Sequence, residues 1–182
     1  MSKKVLVPIA DGLEELEAVT IIDVLRRAGA DVTVASVGSA LQVTASRQVK
    51  LVADKLIGDC VNETYDLIAL PGGMPGAEHL RDCKSLIDIL RRQKQAGRLV
   101  GAICATPAVA LVPHGLLDDR RATCYPGLED KLPHPVKDRV AVDGNVVTSQ
   151  GPGTAIAFAL ELVRQLFDEE RRKATSGPML VQ

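Results

Sequence analysis

The length, composition and charge of this chain describe one globular domain and exclude several classes of protein. Its 182 residues are 46% hydrophobic and 25% charged, which excludes intrinsic disorder and corresponds to a single domain that buries roughly 68–70% of its unfolded surface. The net charge of −1, with only two Tyr, two Phe and no Trp, provides neither the basic surface nor the stacking aromatics of a dedicated nucleic-acid binder.

Short β-branched runs alternate with longer segments of helical periodicity, and together they predict an α/β protein. In chain order we expect a strand at 5–9, a helix at 13–28, a strand at 32–37, a hairpin of 42–45 and 49–53, a strand at 67–70, a helix at 85–96, a strand at 99–103 and a helix from about 106. The last third predicts a short strand at 122–125, a hairpin of 139–142 and 145–149 around Asp143-Gly144, and one long helix at 155–173.

The predicted strands are almost continuously apolar, which is typical of a parallel sheet covered by helices on both faces. No Pro-, Gly- or Ser-rich linker and no internal repeat divides the sequence, so we expect a single domain over residues 1–182. Ligands of such folds bind beyond the carboxyl ends of the central strands. Three segments follow predicted strands at this edge, namely 11–17, 71–76 and 104–107.

The N-terminal region and the cysteines indicate the compartment. The apolar run at 5–10 is short and is followed at once by Asp11 and three glutamates, unlike a signal peptide. No apolar run reaches the roughly 18–20 residues of a membrane helix. The four cysteines are widely spaced without a Cys-x-x-Cys pair, which suits a reducing compartment better than a disulfide framework or a Cys-rich zinc module. We expect a cytoplasmic protein that does not associate with membranes.

Cys104 is the most informative position of the sequence. It follows the buried strand at 99–103 and precedes Thr106-Pro107, a pair typical of a helix N-cap and first turn. A helix N-terminus favours the thiolate, the nucleophilic form of Cys, and the sharp strand-to-helix turn resembles the nucleophile elbow of hydrolases. The alternative is a structural cysteine buried at a strand end, and its placement alone supports both interpretations.

Glu17 lies on the apolar face of the first predicted helix. On a helical wheel it falls in the middle of the stripe formed by Leu13, Ile21, Val24 and Ala28. Burial there raises the pKa of a carboxyl group, so that it holds a proton near neutral pH, and such a group beside a thiol can act as general acid and base. The alternative is a buried glutamate with a structural ion pair. Because both groups lie toward the cleft ends of their elements, the catalytic interpretation is favoured.

Glycine-rich turns line two further sides of the predicted cleft. Gly72 and Gly73 end the strand at 67–70 and allow a ligand to approach the backbone closely. With the N–H of Ala105 they are candidate donors of an oxyanion hole. An ordinary strand-to-helix turn is the alternative, and the G-x-G-x-x-G spacing of dinucleotide-binding loops is absent. The Gly-Pro-Gly segment at 151–153 is interpreted as a rigid turn in preference to a further cleft wall.

The histidines and the remaining cysteines show little organised chemistry. No histidine has a metal-ligand spacing to Cys, Asp or Glu, so we expect no metal site. His79 follows the glycine loop and is the best placed of the three to approach Cys104, but none of the histidines is favoured as a catalytic base. Cys60 and Cys83 are interpreted as passive, whereas Cys124 precedes Tyr125-Pro126 and can lie nearer the predicted cleft. The histidines and the cysteines other than Cys104 are His79, His114, His134, Cys60, Cys83 and Cys124.

Four motifs together resemble the DJ-one/PfpI (ThiJ/PfpI) superfamily. They are EELEAV at 14–19, LPGG at 70–73, AICATP at 102–107 and TSQGPGT at 148–154. Their order and spacing match the family from Val5 to about Phe167, nearly the whole chain. Two stretches, TCYP at 123–126 and SQGPGTAI at 149–156, are closely similar to the bacterial YajL branch.

The resemblance implies a flavodoxin-like three-layer sandwich with a mostly parallel sheet, a homodimer, and a site that needs no cofactor. It implies that Cys104 is an oxidation-sensitive nucleophile and that a protonated Glu17 is its hydrogen-bond partner. Gly73 and Ala105 would supply backbone N–H groups to the site. Two further residues match positions near the family's dimer interface and cleft, and these are Glu14 and Arg47.

The chain departs from the family's pattern at two positions. Protease-like members carry His directly after the nucleophilic Cys, where this chain has Ala105, which argues against a Cys-His peptidase. Animal members carry His where this chain has Tyr125, and a phenol with an unperturbed pKa of about 10 cannot serve as an imidazole base near neutral pH. Proton transfer would then rest on Glu17, with Tyr125 as a hydrogen-bond donor that binds the substrate.

Family members are described as cofactor-free glyoxalases that convert methylglyoxal into lactate, as deglycases that remove early glyoxal adducts, and as redox-responsive chaperones. The resemblance implies an enzyme of carbonyl and oxidative stress that acts through Cys104 on small 2-oxoaldehydes or glycated adducts. The deglycase assignment is disputed, because consumption of free aldehyde also reverses labile adducts. Two alternatives stay open: a redox-sensing chaperone in which Cys104 is oxidised to sulfinic acid, and a structural relative with a vestigial site.

Overall fold

The computed structural model describes residues 2–181, and its elements alternate as the hydrophobic pattern predicts. The strands are β1 (Lys4–Ile9), β2 (Asp31–Ser36), β3 (Gln42–Thr44), β4 (Lys50–Val52), β5 (Lys55–Leu56), β6 (Leu67–Leu70), β7 (Leu99–Ile103), β8 (Arg121–Ala122), β9 (His134–Pro135), β10 (Val140–Asp143) and β11 (Val146–Ser149). The helices are α1 (Glu15–Arg27), α2 (Gly76–Asp82), α3 (Lys84–Gln95), α4 (Ala155–Leu166) and α5 (Glu169–Ser176).

Seven strands form the central sheet in the order β10-β11-β7-β6-β1-β2-β5. All neighbouring pairs are parallel except β10 and β11, which pair antiparallel. The chain moves from β1 to β2 on one side and later returns to β6 on the other, so a topological switch point lies between β1 and β6, the place where ligands bind in such sheets. The α/β fold with a mostly parallel sheet is confirmed, while its extent over residues 1–182 stays a prediction.

Helices cover both faces of the sheet, and each face has its own apolar core. Along β1 the side chains alternate, with Val5 and Val7 on one face and Leu6 on the other. The first face packs against α1 and α4, which contribute apolar residues such as Phe158. The second packs against α3, which contributes residues such as Leu86. This arrangement fixes the sheet rigidly and leaves its carboxyl edge to carry the loops.

The predicted helix at 155–173 is wrong in one respect, because the structure divides it into α4 and α5. Phe167 leaves the helical conformation with φ −118° and ψ −93°. Asp168 then begins a new helix as its N-cap, since its Oδ1 accepts a 2.7 Å hydrogen bond from the N–H of Arg171. Asp168 therefore acts as a start signal inside a stretch that otherwise has helical periodicity.

Three smaller differences concern turns and short elements. The β10–β11 turn is formed by Gly144 and Asn145, because Asp143 still pairs with Val146. The strand predicted at 122–125 is only the two residues of β8. The strand ends there because the next N–H, that of Thr123, donates to the side-chain hydroxyl of Thr148 at 2.9 Å and not to a backbone carbonyl of a neighbouring strand. Helix α2, directly after the glycine loop, was not predicted. No helix within residues 2–181 has the length and apolar character needed to cross a membrane.

Candidate active site

Cys104 lies at the carboxyl end of β7 in a left-handed backbone conformation, with φ +65°. This region is unfavourable for residues other than glycine and is over-represented at functional sites. Two backbone hydrogen bonds hold the conformation: the Cys104 N–H donates to the carbonyl of Ser149 at 2.9 Å, and its own carbonyl accepts from the N–H of Tyr125 at 2.8 Å. The residue is only 7% exposed. The sharp turn predicted after the strand is present, and it holds a largely buried thiol.

The segment after Cys104 differs from the predicted capped α-helix. Residues Pro107–Leu111 form a single π-helical turn, and Thr106 itself has helical φ and ψ without capping a helix. Its hydroxyl instead donates a 2.6 Å hydrogen bond to the carbonyl of Pro71 in the glycine loop. The prediction of Thr106 as an N-cap was therefore wrong, because a tertiary acceptor takes its hydroxyl.

Glu17 is completely buried in the first turn of α1 and points at the sheet's switch point. One carboxyl oxygen, Oε2, accepts a 2.7 Å hydrogen bond from the N–H of Gly72. The other, Oε1, is buried without a hydrogen-bond partner among the described residues. Glu14 caps the helix, since its Oε2 accepts from the N–H of Glu17 at 2.7 Å. A carboxyl group in this setting has one oxygen that must accept and one that is free to carry a proton.

Burial raises the pKa of Glu17 to about 7. The hydrogen bond from Gly72 opposes this shift by stabilising the carboxylate, the nearby charge of Glu14 adds to it, and contact with the Cys104 thiol again opposes it. A group with this pKa exchanges its proton readily near neutral pH, which is the property of an efficient general acid and base.

The environment of Cys104 acts against a free-standing thiolate, contrary to our expectation of a lowered pKa. Burial, together with the charge of an ionised Glu17, raises the pKa of the thiol to about 12, whereas the backbone N–H groups of Gly73 and Ala105 act in the opposite direction. Because the two groups repel each other when both are charged, they titrate as a pair rather than independently. A thiolate at Cys104 therefore requires that Glu17 hold a proton.

The glycine loop fits against both groups with little space to spare. A Cβ added to Gly72 would lie 2.5 Å from the Cys104 Cβ and 2.8 Å from Oε2 of Glu17. Gly73 has φ +91°, and a Cβ there would meet the backbone of Leu13 and Glu14. Both glycines are thus required by close approach rather than by turn propensity alone. The N–H of Gly72 is already occupied by Glu17, which leaves those of Gly73 and Ala105 for the sulfur side.

A cleft of about 510 Å³ opens above Cys104. Tyr125, whose side chain is 49% exposed, and Pro152 contribute walls. The exposed Arg47 lies at the same cleft, on a loop that Glu15 fixes by accepting from the Arg47 N–H at 2.7 Å. Gly73, Ala105 and Glu14 also line it. The structure thus brings together every residue that the sequence singled out for this site, apart from Glu17 and Gly72, which lie beneath its surface.

The histidines lie elsewhere. Nδ1 of His79 is 3.0 Å from the carbonyl of Asp11, and Nε2 of His114 is 2.8 Å from that of Arg81. Neither lines the cleft, so His79, the histidine that the sequence places best to approach Cys104, does not reach its site. Within residues 2–181 no three His, Cys, Asp or Glu side chains are arranged to hold a metal ion.

Cys124, expected nearer the cleft, is buried beneath it and does not line it. Burial raises its pKa to about 11, and the charge of Glu129 contributes. Cys124 differs from Cys104 in lying outside the cleft and away from Glu17, which makes it a useful internal reference for Cys104.

The roles of Pro152 and Thr106 in the site are not predicted by the sequence. Pro152 follows the glycine of a Gly-Pro-Gly turn, and this turn both starts the short helix before α4 and forms a wall of the cleft. Thr106 has no pattern that distinguishes a cap from a tertiary contact. The one feature of the sequence that places Thr106 and Pro152 near the cleft is that each shortly follows a strand, β7 or β11, at the carboxyl edge of the sheet.

A comparison with protein families settles the relationship of this chain. The model of the DJ-1/PfpI family matches residues 3–165. The chain belongs to the DJ-1/PfpI family. A relative from Caenorhabditis elegans, named glutathione-independent glyoxalase DJR-1.2, is 36% identical over 182 residues, which cover 98% of this chain and 95% of the relative.

Other DJ-1/PfpI relatives agree in sequence and structure. The protein DJ-1 homolog B of Arabidopsis thaliana is 48% identical over all of this chain, which spans only 42% of that relative's length. A solved structure described as oxidized Toxoplasma gondii DJ-1 is 50% identical, with a TM-score of 0.97 over 98% of each chain. Drosophila melanogaster DJ-1beta is 37% identical, with a TM-score of 0.96 over 100% of each. The DJ-1/PfpI fold is therefore the fold of this chain.

Proposed function

We propose that this DJ-1/PfpI protein is a cofactor-independent glyoxalase-type enzyme that acts on small 2-oxoaldehydes. The observation that carries the proposal is the pairing of Cys104, in its left-handed elbow, with the buried, proton-exchanging Glu17 at the floor of one cleft. The name of the C. elegans relative supports the reaction type. Cys104 and Glu17 are the proposed catalytic residues.

The first step is addition of Cys104 to the aldehyde carbon. The sulfur forms the new S–C bond, the carbonyl electron pair moves to oxygen, and the carboxylate of ionised Glu17 takes the thiol proton. This assignment follows from the raised pKa of the thiol, which makes a base necessary, and from the contact between the thiol and the Glu17 carboxyl group. The backbone N–H groups of Gly73 and Ala105 are the donors that we assign to the developing oxyanion.

The second step moves a proton between the two carbons. Glu17 first passes its proton to the hemithioacetal oxygen and then, as carboxylate, takes the proton from the former aldehyde carbon, which leaves an enediolate. Glu17 returns that proton to the neighbouring carbon, while the hydroxyl proton passes to the second oxygen as the thioester carbonyl forms. Water then attacks the thioester, the sulfur leaves and is reprotonated, and a 2-hydroxy acid is released. One water is consumed and no external oxidant is needed.

Tyr125 and Gly72 have supporting roles in the proposal. Tyr125 forms a wall of the substrate cleft, and Gly72 orients Glu17 through its N–H. Because the cleft is open, the same addition chemistry extends to early glycation adducts, which release their aldehyde at the cleft. Deglycase activity is therefore proposed only as a consequence of aldehyde consumption.

The test is the formation of lactate from methylglyoxal. We expect lactate from the native protein, and a loss of at least about 100-fold in Cys104→Ser and in Glu17→Gln, since nucleophilic and acid–base contributions are of this size. Cys124→Ser is the matched control, because Cys124 is buried outside the cleft, and it should retain activity. No lactate from the native protein, or equal lactate from all variants, would overturn the proposal.

One observation favours a second function, redox sensing by a chaperone. The Toxoplasma relative with 50% identity is described as oxidized. Oxidation of the Cys104 thiol by peroxide through sulfenic to sulfinic acid would place an anion beside Glu17, whose free Oε1–H would donate to it. Peroxide titration with site-resolved mass spectrometry should show Cys104 oxidised before Cys124, and unselective oxidation would argue against the sensor.

We also propose a homodimer. Exposed apolar side chains lie together on one surface, which includes Val19, 46% exposed, and Val52, 69% exposed. Leu51 and Ile22 line the same groove, together with the charged side chains of Asp23, Arg26 and Asp54. An exposed apolar surface bordered by charged residues is typical of an interface, and a second copy of the chain is the proposed partner. The cytoplasmic location stays a prediction.

A further inference from the structure

Thr106 connects the two loops that carry the Cys104–Glu17 pair. Its side chain is completely buried, and its hydroxyl donates to the carbonyl of Pro71 at 2.6 Å. Pro71 precedes Gly72, whose N–H donates to Oε2 of Glu17 at 2.7 Å. A continuous path therefore runs from the residue two positions after Cys104, through one peptide unit, to the carboxyl group of Glu17.

The Pro71–Gly72 peptide cannot move without changing the hydrogen bonds on both of its sides. The Pro71–Gly72 peptide presents its carbonyl to Thr106 and its N–H to Glu17, so a tilt of this one unit changes both hydrogen bonds at once. A Cβ at Gly72 would lie 2.5 Å from Cys104 and 2.8 Å from Glu17, which shows how closely the peptide approaches both groups. Small displacements therefore reach the carboxyl group directly.

We propose that Thr106 is a positioning residue for the Cys104–Glu17 pair. Its hydroxyl fixes the Pro71–Gly72 peptide so that the Gly72 N–H engages Oε2 and leaves Oε1 available for the proton. The inference rests on the proposed roles of Cys104 and Glu17, but it does not depend on which aldehyde is the substrate.

The consequence is electrostatic. The titratable groups that act on Glu17 are Glu14 at the start of α1 and Cys104 at the end of β7. The N–H of Gly72 favours the carboxylate against burial and against the charge of Glu14. If the peptide tilts and this hydrogen bond weakens, Glu17 holds its proton to higher pH. The Cys104–Glu17 pair then loses its first proton at higher pH, and the reactivity of Cys104, which depends on that loss, begins at higher pH as well.

The experiment measures the rate of Cys104 alkylation by iodoacetamide against pH, with each cysteine resolved by mass spectrometry. We expect Thr106→Val to raise the midpoint of the profile by about 0.5–1 pH unit, as for partial loss of a hydrogen bond to a charged group. Thr106→Ser keeps the hydroxyl and should restore the native midpoint. Thr106→Ala is a second variant that also removes the hydroxyl, and it is measured if the valine prevents folding.

Thr175→Val is the matched control. Thr175 is also buried, and its hydroxyl donates to the carbonyl of Arg171 at 2.8 Å within α5, outside the cleft. It should change stability without moving the midpoint. An unchanged midpoint in folded Thr106→Val or Thr106→Ala, or an equal shift in Thr175→Val, would overturn the inference. If the native protein makes no lactate, the proposed function fails, and the alkylation profile still decides the role of Thr106.

Discussion

The amide nitrogen of Gly72 lies 2.7 Å from Oε2 of Glu17, while Oε1 of the same buried carboxyl group has no hydrogen-bond partner among the described residues. The bound oxygen fixes the orientation of the group, and the free one is where a proton can be taken up and released. Burial supplies the pKa of about 7 that makes this exchange effective near neutral pH. In the proposed mechanism, the Cys104 thiol is the group whose proton this carboxyl group takes up and returns.

The raised pKa of Glu17 predicts a specific dependence of stability on pH. Between the unfolded pKa of 4.5 and the folded value of about 7, the folded protein binds more protons than the unfolded chain, so this group's contribution falls as pH rises. Glu17→Gln cannot ionise and lacks this loss. We expect its unfolding free energy relative to the native protein to increase by about 3 kcal/mol between pH 4 and pH 8.

Denaturant unfolding at the two pH values measures this difference. At pH 4 the native carboxyl group is protonated in the folded state and mostly protonated in the unfolded state, so the comparison there is an internal control for any packing change. A relative stability of Glu17→Gln that is the same at both pH values would show that Glu17 is not held protonated by the fold.

Gly72→Ala tests the close approach of the glycine loop. The added Cβ would lie within 2.9 Å of the Ile103 carbonyl, in addition to its clashes with Cys104 and Glu17. Overpacking of this kind costs about 1–3 kcal/mol, and we expect the alkylation rate of Cys104 to change with it. Gly58→Ala is the control, because nothing lies within 4 Å of its added Cβ. Equal stability of the two variants would contradict the described geometry.

The sequence predicts the buried part of this site better than its loops. Glu17 is recognisable because its carboxyl group interrupts an apolar stripe of fixed period. Cys104 is recognisable because it directly follows an apolar run that predicts a buried strand, at the point where the chain must turn. Both features depend on local periodicity. The hydrogen bonds from Gly72 to Glu17 and from Thr106 to Pro71 join residues 55 and 35 positions apart, and no local pattern specifies them.

The dependence on local pattern also explains where the predictions from sequence were wrong. Asp168 caps α5 in the middle of a segment with uniform helical period, so hydrophobic pattern alone joins α4 to α5. The pKa of Cys104 was expected to be lowered from its place before a helix, but burial and Glu17 dominate. Burial and the charge of Glu17, which lies on α1, together outweigh the backbone N–H groups near the cysteine that favour the thiolate.

Replacement of Tyr125 by Phe should be mild. The Tyr125 N–H holds the carbonyl of Cys104 at 2.8 Å and is kept in the variant, as is the aromatic wall of the cleft. Because a phenol is a poor base near neutral pH, we expect kcat/KM for methylglyoxal to fall by less than about threefold, or well under 1 kcal/mol of transition-state stabilisation. A loss of about 100-fold would place the hydroxyl in proton transfer.

Val52→Asp tests the proposed dimer. A carboxylate in place of an apolar side chain that is buried on association is unfavourable, while the exposed position should leave the fold intact. We therefore expect a monomer by light scattering with an unchanged circular dichroism spectrum. Leu180→Asp is the control, since Leu180 is 88% exposed and does not line the groove. A native protein that is already monomeric would contradict the proposal.

The most direct test of the Cys104–Glu17 mechanism is the reaction of methylglyoxal in heavy water, followed by NMR of the lactate formed. Proton transfer through Glu17 uses a carboxyl group that exchanges with solvent, so the account predicts deuterium at C2 of the lactate. Lactate formed without deuterium at C2 would mean that hydrogen moves directly between the two carbons, and it would contradict the role assigned to Glu17.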